Sequence, residues 1–190
     1  MAGRCWQRRA ALAAVLVVLA CAAPAAAHAP VFLWDGAGGD RRPVLIPDVM
    51  ERSRAFYGLV GQGEVHRFRF VADAGDQVPV DLLVPAGQAA AAGAYVRLPG
   101  GGEVPLEPVQ EAVFQGFTQM RLVRVARLRL TAPETGLYEI HVYPAETLAS
   151  TGPGPRVKYL LAVGEREGFG LLDVFKGPLW WLEARLWLWR

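Results

Sequence analysis

The chain has 190 residues, enough for one domain with a substantial core. Its formal charge of +2 overstates the folded part: of 20 basic side chains, Arg4, Arg8 and Arg9 lie in an N-terminal leader, and 20 less three leaves 17 against 18 acidic ones, about −1. A near-neutral domain has no long-range field to hold a polyphosphate, which argues against nucleic acid as a partner.

The leader comes first. Met1 to Arg9 is basic, Ala10 to Ala23 is apolar, and Ala22 to Ala27 is a run of small residues broken only by Pro24. This order defines a secretory signal peptide over residues 1–27, with an apolar stretch shorter than a membrane-spanning helix needs. Two cleavage sites compete. Ala25-Ala26-Ala27 suits signal peptidase and leaves His28 first; Val18-Leu19-Ala20-Cys21 resembles a lipobox and leaves a lipidated Cys21, followed by an Ala/Pro tether. The first is favoured, because a leucine two residues before the cysteine is less usual than a small residue. Both cysteines, Cys5 and Cys21, belong to the leader, so the exported part is expected to carry no disulfide, thiolate nucleophile or zinc-thiolate site. The expected location is the periplasm or the outer face of the cell envelope.

Residues 28–53 read as an extended lead-in, with Val31-Phe32-Leu33-Trp34 as an edge strand. In Glu64 to Val71, His66, Phe68 and Phe70 alternate with Arg67 and Arg69, the period of a half-buried strand. Further strands are expected at Val78–Val84, Ala94–Leu98, Met120–Leu130, Leu137–Tyr143 and Val157–Val163, separated by Gly- and Pro-bearing turns. In the longest, Leu122, Ala126, Leu128 and Leu130 form an apolar face interrupted by Arg124. Its arginines, Arg121, Arg127 and Arg129 among them, are expected to solvate the outer face of an edge strand rather than meet an acidic polymer. About seven short strands with no helix between them predict an all-β, jelly-roll-like antiparallel sandwich over residues 54–167, with helix confined to a tail over 168–190.

Three segments resemble bacterial pre-peptidase C-terminal-like domains. They are Glu64-Val65-His66-Arg67-Phe68-Arg69-Phe70-Val71-Ala72-Asp73-Ala74-Gly75-Asp76, Thr135-Gly136-Leu137-Tyr138-Glu139-Ile140-His141-Val142 and Lys158-Tyr159-Leu160-Leu161-Ala162-Val163. The resemblance spans about Arg54 to Val163 and departs between Pro85 and Gln119. It implies a jelly-roll-like accessory module of secreted proteins, with no catalytic residue to carry over.

Catalysis has little to work with. Ser53 and Ser150 are the serines, and neither sits in a Gly-x-Ser-x-Gly elbow. Glu103, Glu107 and Glu111 are spaced by four, but Pro105 and Pro108 break the helix that would align them, so they read as solvated loop charges. No cofactor and no enzyme activity are expected; a hydrolase with an unrecognised polar site is the weakest alternative. A free His28 would make an N-terminal copper chelate if His66 or His141 converged on it. Strand parity instead turns His66 toward the core or its margin and His141 toward solvent.

The tail is the more distinctive feature. Pro178 suits a first helical position, and Leu179, Leu182, Leu186 and Trp189 then form one apolar stripe flanked by Trp180 and Trp187. Tryptophans beside Arg185 and Arg190 suit a membrane interface, and the tail is too short and charged to span. Two outcomes are open: the tail binds a membrane surface or membrane-embedded protein, or it folds back onto the sandwich as core.

Overall fold

Period-two alternation over short segments, punctuated by glycine and proline, builds two facing sheets. The structure is a computed structural model that describes residues 29–34, 38–39, 42–88, 92–115, 118–145, 156–164 and 171–189, the side chains of 171–177 excepted. Residues 1–28, which include the expected leader with Cys21 and also His28, lie outside the described residues.

The strands are β1 (Ala29–Phe32), β2 (Val44–Leu45), β3 (Arg54–Val60), β4 (His66–Ala72), β5 (Gln77–Pro85), β6 (Ala92–Arg97), β7 (Glu103–Pro105), β8 (Glu107–Gln115), β9 (Met120–Thr131), β10 (Gly136–Pro144) and β11 (Val157–Val163). Sheet A runs β1-β3-β11-β5-β9-β8 and sheet B runs β2-β4-β10-β6-β7. Most pairings are antiparallel; β1 on β3 and β2 on β4 are parallel. The all-β sandwich expected from the pattern is the observed architecture, with one helix among the described residues, α1 (Leu171–Trp189), toward the C-terminal end.

The inter-sheet core takes every second residue. Phe68, Phe70, Tyr138, Ile140 and Val142 come from sheet B, and Phe56, Val80, Tyr159 and Leu161 from sheet A. A second apolar layer lies on the outer face of sheet A, where Ala55, Tyr57, Leu83, Met120, Leu122 and Leu160 meet Ala184 and Trp187 of α1. Strands β3 and β11 are therefore buried on both faces. This explains why β3, an apolar run without alternation, escaped a reading based on period two.

Four expectations are corrected. Glu103 lies on β7 and Glu107 and Glu111 on β8, rather than in a loop: a proline is tolerated at an edge, and the register shift between Pro108 and Glu111 accommodates it. Strand β9 is interior, between β5 and β8. Its expected apolar face is split, because the register shifts where Leu82 pairs with Ala126 and Leu83 with Arg124, leaving Val125 as an extra residue. Ala126, Leu128 and Leu130 thus pack between the sheets, while Leu122 turns outward beneath α1. Finally, Pro178 lies inside α1 rather than opening it, at the loss of one backbone hydrogen bond.

Candidate functional site

Helix α1 has two apolar faces. Ala184, Trp187 and Leu188 turn toward sheet A, with Trp187 only 1% exposed. Its indole Nε1–H donates to the Gly58 carbonyl at 3.1 Å, and its ring meets Tyr57 edge-on, 5.1 Å between centroids. Phe32 stacks on the same tyrosine at 4.6 Å, and Trp34 stacks on Phe32 at 5.8 Å, so an aromatic row crosses from β1 to the helix. The Tyr57 hydroxyl donates to Gln115 Oε1 at 3.0 Å, and burial pushes its pKa upward, with the Gln115 bond opposing. The Lys158 ammonium donates to the Leu188 carbonyl at 2.6 Å, a cation at the negative end of the helix.

The outward face carries Leu179, Leu182, Leu186 and Trp189, 64%, 50%, 47% and 82% exposed. Trp181 is also exposed and holds the Arg185 guanidinium 5.2 Å from its ring centre, while Trp180 is half-buried. An open groove between helix and β1 side is lined by Trp34, Glu183, Leu186 and Trp189. Of the tail residues expected to contact a membrane or partner, Trp187 is thus corrected to core. It lies in the same turn as Leu186 and Trp189 but points to the opposite side of the helix, where its N–H finds a buried carbonyl that rewards burial. The helix thus packs on the sandwich through one face and leaves an apolar stripe exposed on the other. No helix among the described residues is long and apolar enough to cross a membrane.

The described histidines occupy opposite faces of sheet B. His66 points between the sheets, 6% exposed, with Nδ1 2.6 Å from the Tyr159 hydroxyl. Burial lowers its pKa, opposed by Glu64 and assisted by Arg156. Tyr159 is buried, which raises its pKa well above the usual phenol. His141 points to the outer side, as parity required, but it is 2% exposed rather than solvated. The Tyr95 ring lies over it, 4.7 Å between centroids, and closes it from water. Its Nδ1 sits 2.7 Å from the Tyr95 hydroxyl and its Nε2 3.1 Å from Glu139 Oε2. Arg69 Nε donates to the other oxygen of Glu139 at 2.5 Å. The carboxyl is raised by burial but more strongly held down by its bonds to His141 and Arg69, and its pKa is lowered overall. The chain Arg69–Glu139–His141–Tyr95 was not anticipated, although Arg69, Glu139 and His141 each fall on the outward parity of their strands. Among the described residues no group of three or more metal-ligating side chains forms a site.

On the outer face of sheet A, beyond the helix, Asp81 forms an ion pair with Arg124 at 3.2 Å and accepts from Arg127 Nε at 2.9 Å, and Glu111 pairs with Arg124 from β8. Of the arginines expected to be solvated, Arg124 and Arg127 are here neutralised by carboxylates on both flanking strands, while Arg121 and Arg129 are exposed.

No family model matches the chain, and no curated protein matches it. Among solved structures, Aeromonas hydrophila PliG, a periplasmic lysozyme inhibitor of g-type lysozyme, aligns at 21% identity with a TM-score of 0.40, over 72% of this chain and 93% of that one. Salmonella Typhimurium PliG, also a periplasmic inhibitor of g-type lysozyme, aligns at 20% identity with a TM-score of 0.41, over 64% and 96%.

Proposed function

We propose that the chain is an exported, non-catalytic accessory module of the pre-peptidase C-terminal-like kind, held at the outer face of a membrane by α1. The carrying observation is the outward stripe Leu179, Leu182, Leu186 and Trp189 on a helix whose opposite face is fixed by Trp187. A helix that served only the core would present polar residues outward. This one presents leucine and tryptophan, with Arg185 stacked on Trp181, the residue types that sit at the level of lipid headgroups. The basic start, apolar middle and small-residue end of the first 27 residues support delivery across a membrane.

Energetics favour the same reading. Each half-exposed leucine or tryptophan of the stripe gains about 1–2 kcal/mol on entering an apolar phase. The helix is already ordered against sheet A, so little conformational entropy is lost on binding.

The test is co-sedimentation of the chain from His28 onward with phosphatidylcholine vesicles. Leu182→Ser, Leu186→Ser and Trp189→Ser together are expected to abolish binding while the melting temperature holds. Undiminished binding by that variant overturns the reading.

A further inference from the structure

The outer face of sheet B looks away from α1 and is built differently. At one corner Leu45, Val71 and Leu137 are 66%, 62% and 46% exposed, with Val71 and Leu137 paired in register. Beside them Arg69 and Arg97 flank Glu139 on its two neighbouring strands. Arg69 binds Glu139 through Nε and Arg97 binds Glu103 through Nη2; both guanidinium side chains are more than 40% exposed. A guanidinium has five N–H donors, so each pairing leaves donors facing solvent. Glu139, by contrast, is largely covered, at 14%. Glu103 is 48% exposed, so the face is positive by the excess of Arg67, Arg69 and Arg97 over Glu103 and the covered Glu139.

The centre of the face is held rigid. Tyr95 is fixed by His141, which is fixed by Glu139, which is fixed by Arg69. Tyr143 packs over Gly93, where a Cβ would come within 2.7 Å of its ring, and lies 6.0 Å from Tyr95. The glycine makes room for the second tyrosine, and the two rings form a platform between the arginines and the strand ends. Tyrosine and arginine set in place before binding, beside exposed aliphatic side chains, are the composition of interface hot spots. Preorganisation spares the cost of ordering them.

We propose that the outer face of sheet B is a recognition surface for a protein segment that presents carboxylates beside apolar side chains. Arg69 and Arg97 take the carboxylates by paired N–H donors, as guanidinium geometry favours. Leu45, Val71 and Leu137 take the apolar side chains, and the tyrosine pair packs against the segment backbone. This surface is independent of the membrane reading, because it lies on the sheet that α1 does not cover. A chain seated on a bilayer through α1 holds it toward the aqueous phase.

The probe is a short Glu–Leu peptide repeating Glu-Glu-Leu-Leu, which carries both residue types on each face when extended, with a Lys-Lys-Leu-Leu repeat of equal length as control, titrated into the isotopically labelled chain from His28 onward. Amide shifts are expected on β4, β6 and β10 with the Glu–Leu peptide only, and to weaken as salt is raised. Arg97→Glu and Leu137→Ser, both at solvent-facing positions, are each expected to weaken binding roughly tenfold with the spectrum otherwise preserved. Equal shifts from both peptides, shifts confined to α1 or β8, or unchanged affinity in both variants would overturn the proposal. The stripe variants Leu182→Ser and Leu186→Ser are expected to bind the peptide normally, which separates failure here from failure of the membrane reading.

Discussion

Trp187 and Gly58 are joined by a hydrogen bond of 3.1 Å across 129 residues of sequence. The glycine serves both sides of its strand. On the inner side a Cβ at residue 58 would collide with the Tyr159 ring, and on the outer edge its carbonyl receives the indole. One residue thus lets a core tyrosine approach the backbone and gives the C-terminal helix its polar fix.

Trp187→Ala is expected to destabilise the domain by about 3–5 kcal/mol, the cost of deleting a large buried aromatic and orphaning a carbonyl. Trp189→Ala, at 82% exposure, is expected to change stability by less than about 0.5 kcal/mol. Urea unfolding of the two variants checks the contrast. Equal effects would mean that α1 does not hold the orientation described.

The strands that bury one face were legible because alternation is a local signal: His66, Phe68 and Phe70 against Arg67 and Arg69 needs no tertiary knowledge. What escaped depended on partners distant in sequence. Arg54 to Val60 reads as an apolar run because α1 covers its second face. The reversal of Leu122 depends on an extra residue, Val125, in the register with β5. Parity gave the direction of His141 and not its burial, because the covering ring, Tyr95, comes from a strand 46 residues away. Spacing gathered Leu179, Leu182, Leu186 and Trp189 into one apolar stripe with Trp187 at its flank, but nothing local said which of the two would face sheet A. That choice was made by Tyr57 and Gly58.

The pH dependence of stability is expected to carry a step from His66. Burial lowers its pKa in the folded state, whereas the unfolded chain takes up the proton near the ordinary value of about 6.5. The unfolded state then binds more protons below that value, so stability rises with pH in this window. The contribution is complete above about pH 6.5 and is lost as pH falls from there toward the folded pKa. The lowered pKa of Glu139 adds a separate loss at more acidic pH, below the ordinary carboxyl value. His66→Gln is expected to remove the first step and leave the second. Urea midpoints measured from neutral to acidic pH in both chains check it; an unaltered profile in the variant would assign the step elsewhere.

Asp81 joins β5 to β9 by two arginines, at 3.2 Å and 2.9 Å, in a setting where its side chain is 15% exposed. The bond to Asp81 also raises the Arg127 pKa further. Asp81→Ala leaves two guanidiniums with one remaining carboxylate, Glu111, and is expected to cost about 1–3 kcal/mol. Glu111→Gln, at 56% exposure, is expected to cost less than about 1 kcal/mol. Thermal unfolding of the pair tests whether the cluster is structural. A larger loss from the Glu111 variant would reverse the assignment.

The two faces of α1 make a prediction that fluorescence reads directly. Trp189 is 82% exposed and Trp187 1%, although they are two residues apart on one helix. If the stripe enters a bilayer interface, Trp189 exchanges water for lipid and Trp187 keeps its contacts with Tyr57 and Gly58. In chains where the other tryptophans are replaced by phenylalanine, Trp189 is expected to shift its emission to the blue with phosphatidylcholine vesicles and to be quenched by brominated acyl chains. Trp187 is expected to do neither. Raising salt is expected to change partitioning little, because the apolar term dominates and Glu183 offsets the charge of Arg185 on the same helix. Leu182→Ser with Leu186→Ser removes two side chains worth about 1–2 kcal/mol each on transfer, so partitioning should fall by about tenfold or more. The melting temperature should hold, since both leucines are half-exposed or nearly so. Quenching of Trp187 together with Trp189 would mean that the helix leaves sheet A when it meets lipid, and binding would then carry a loss of domain stability that the docked helix does not.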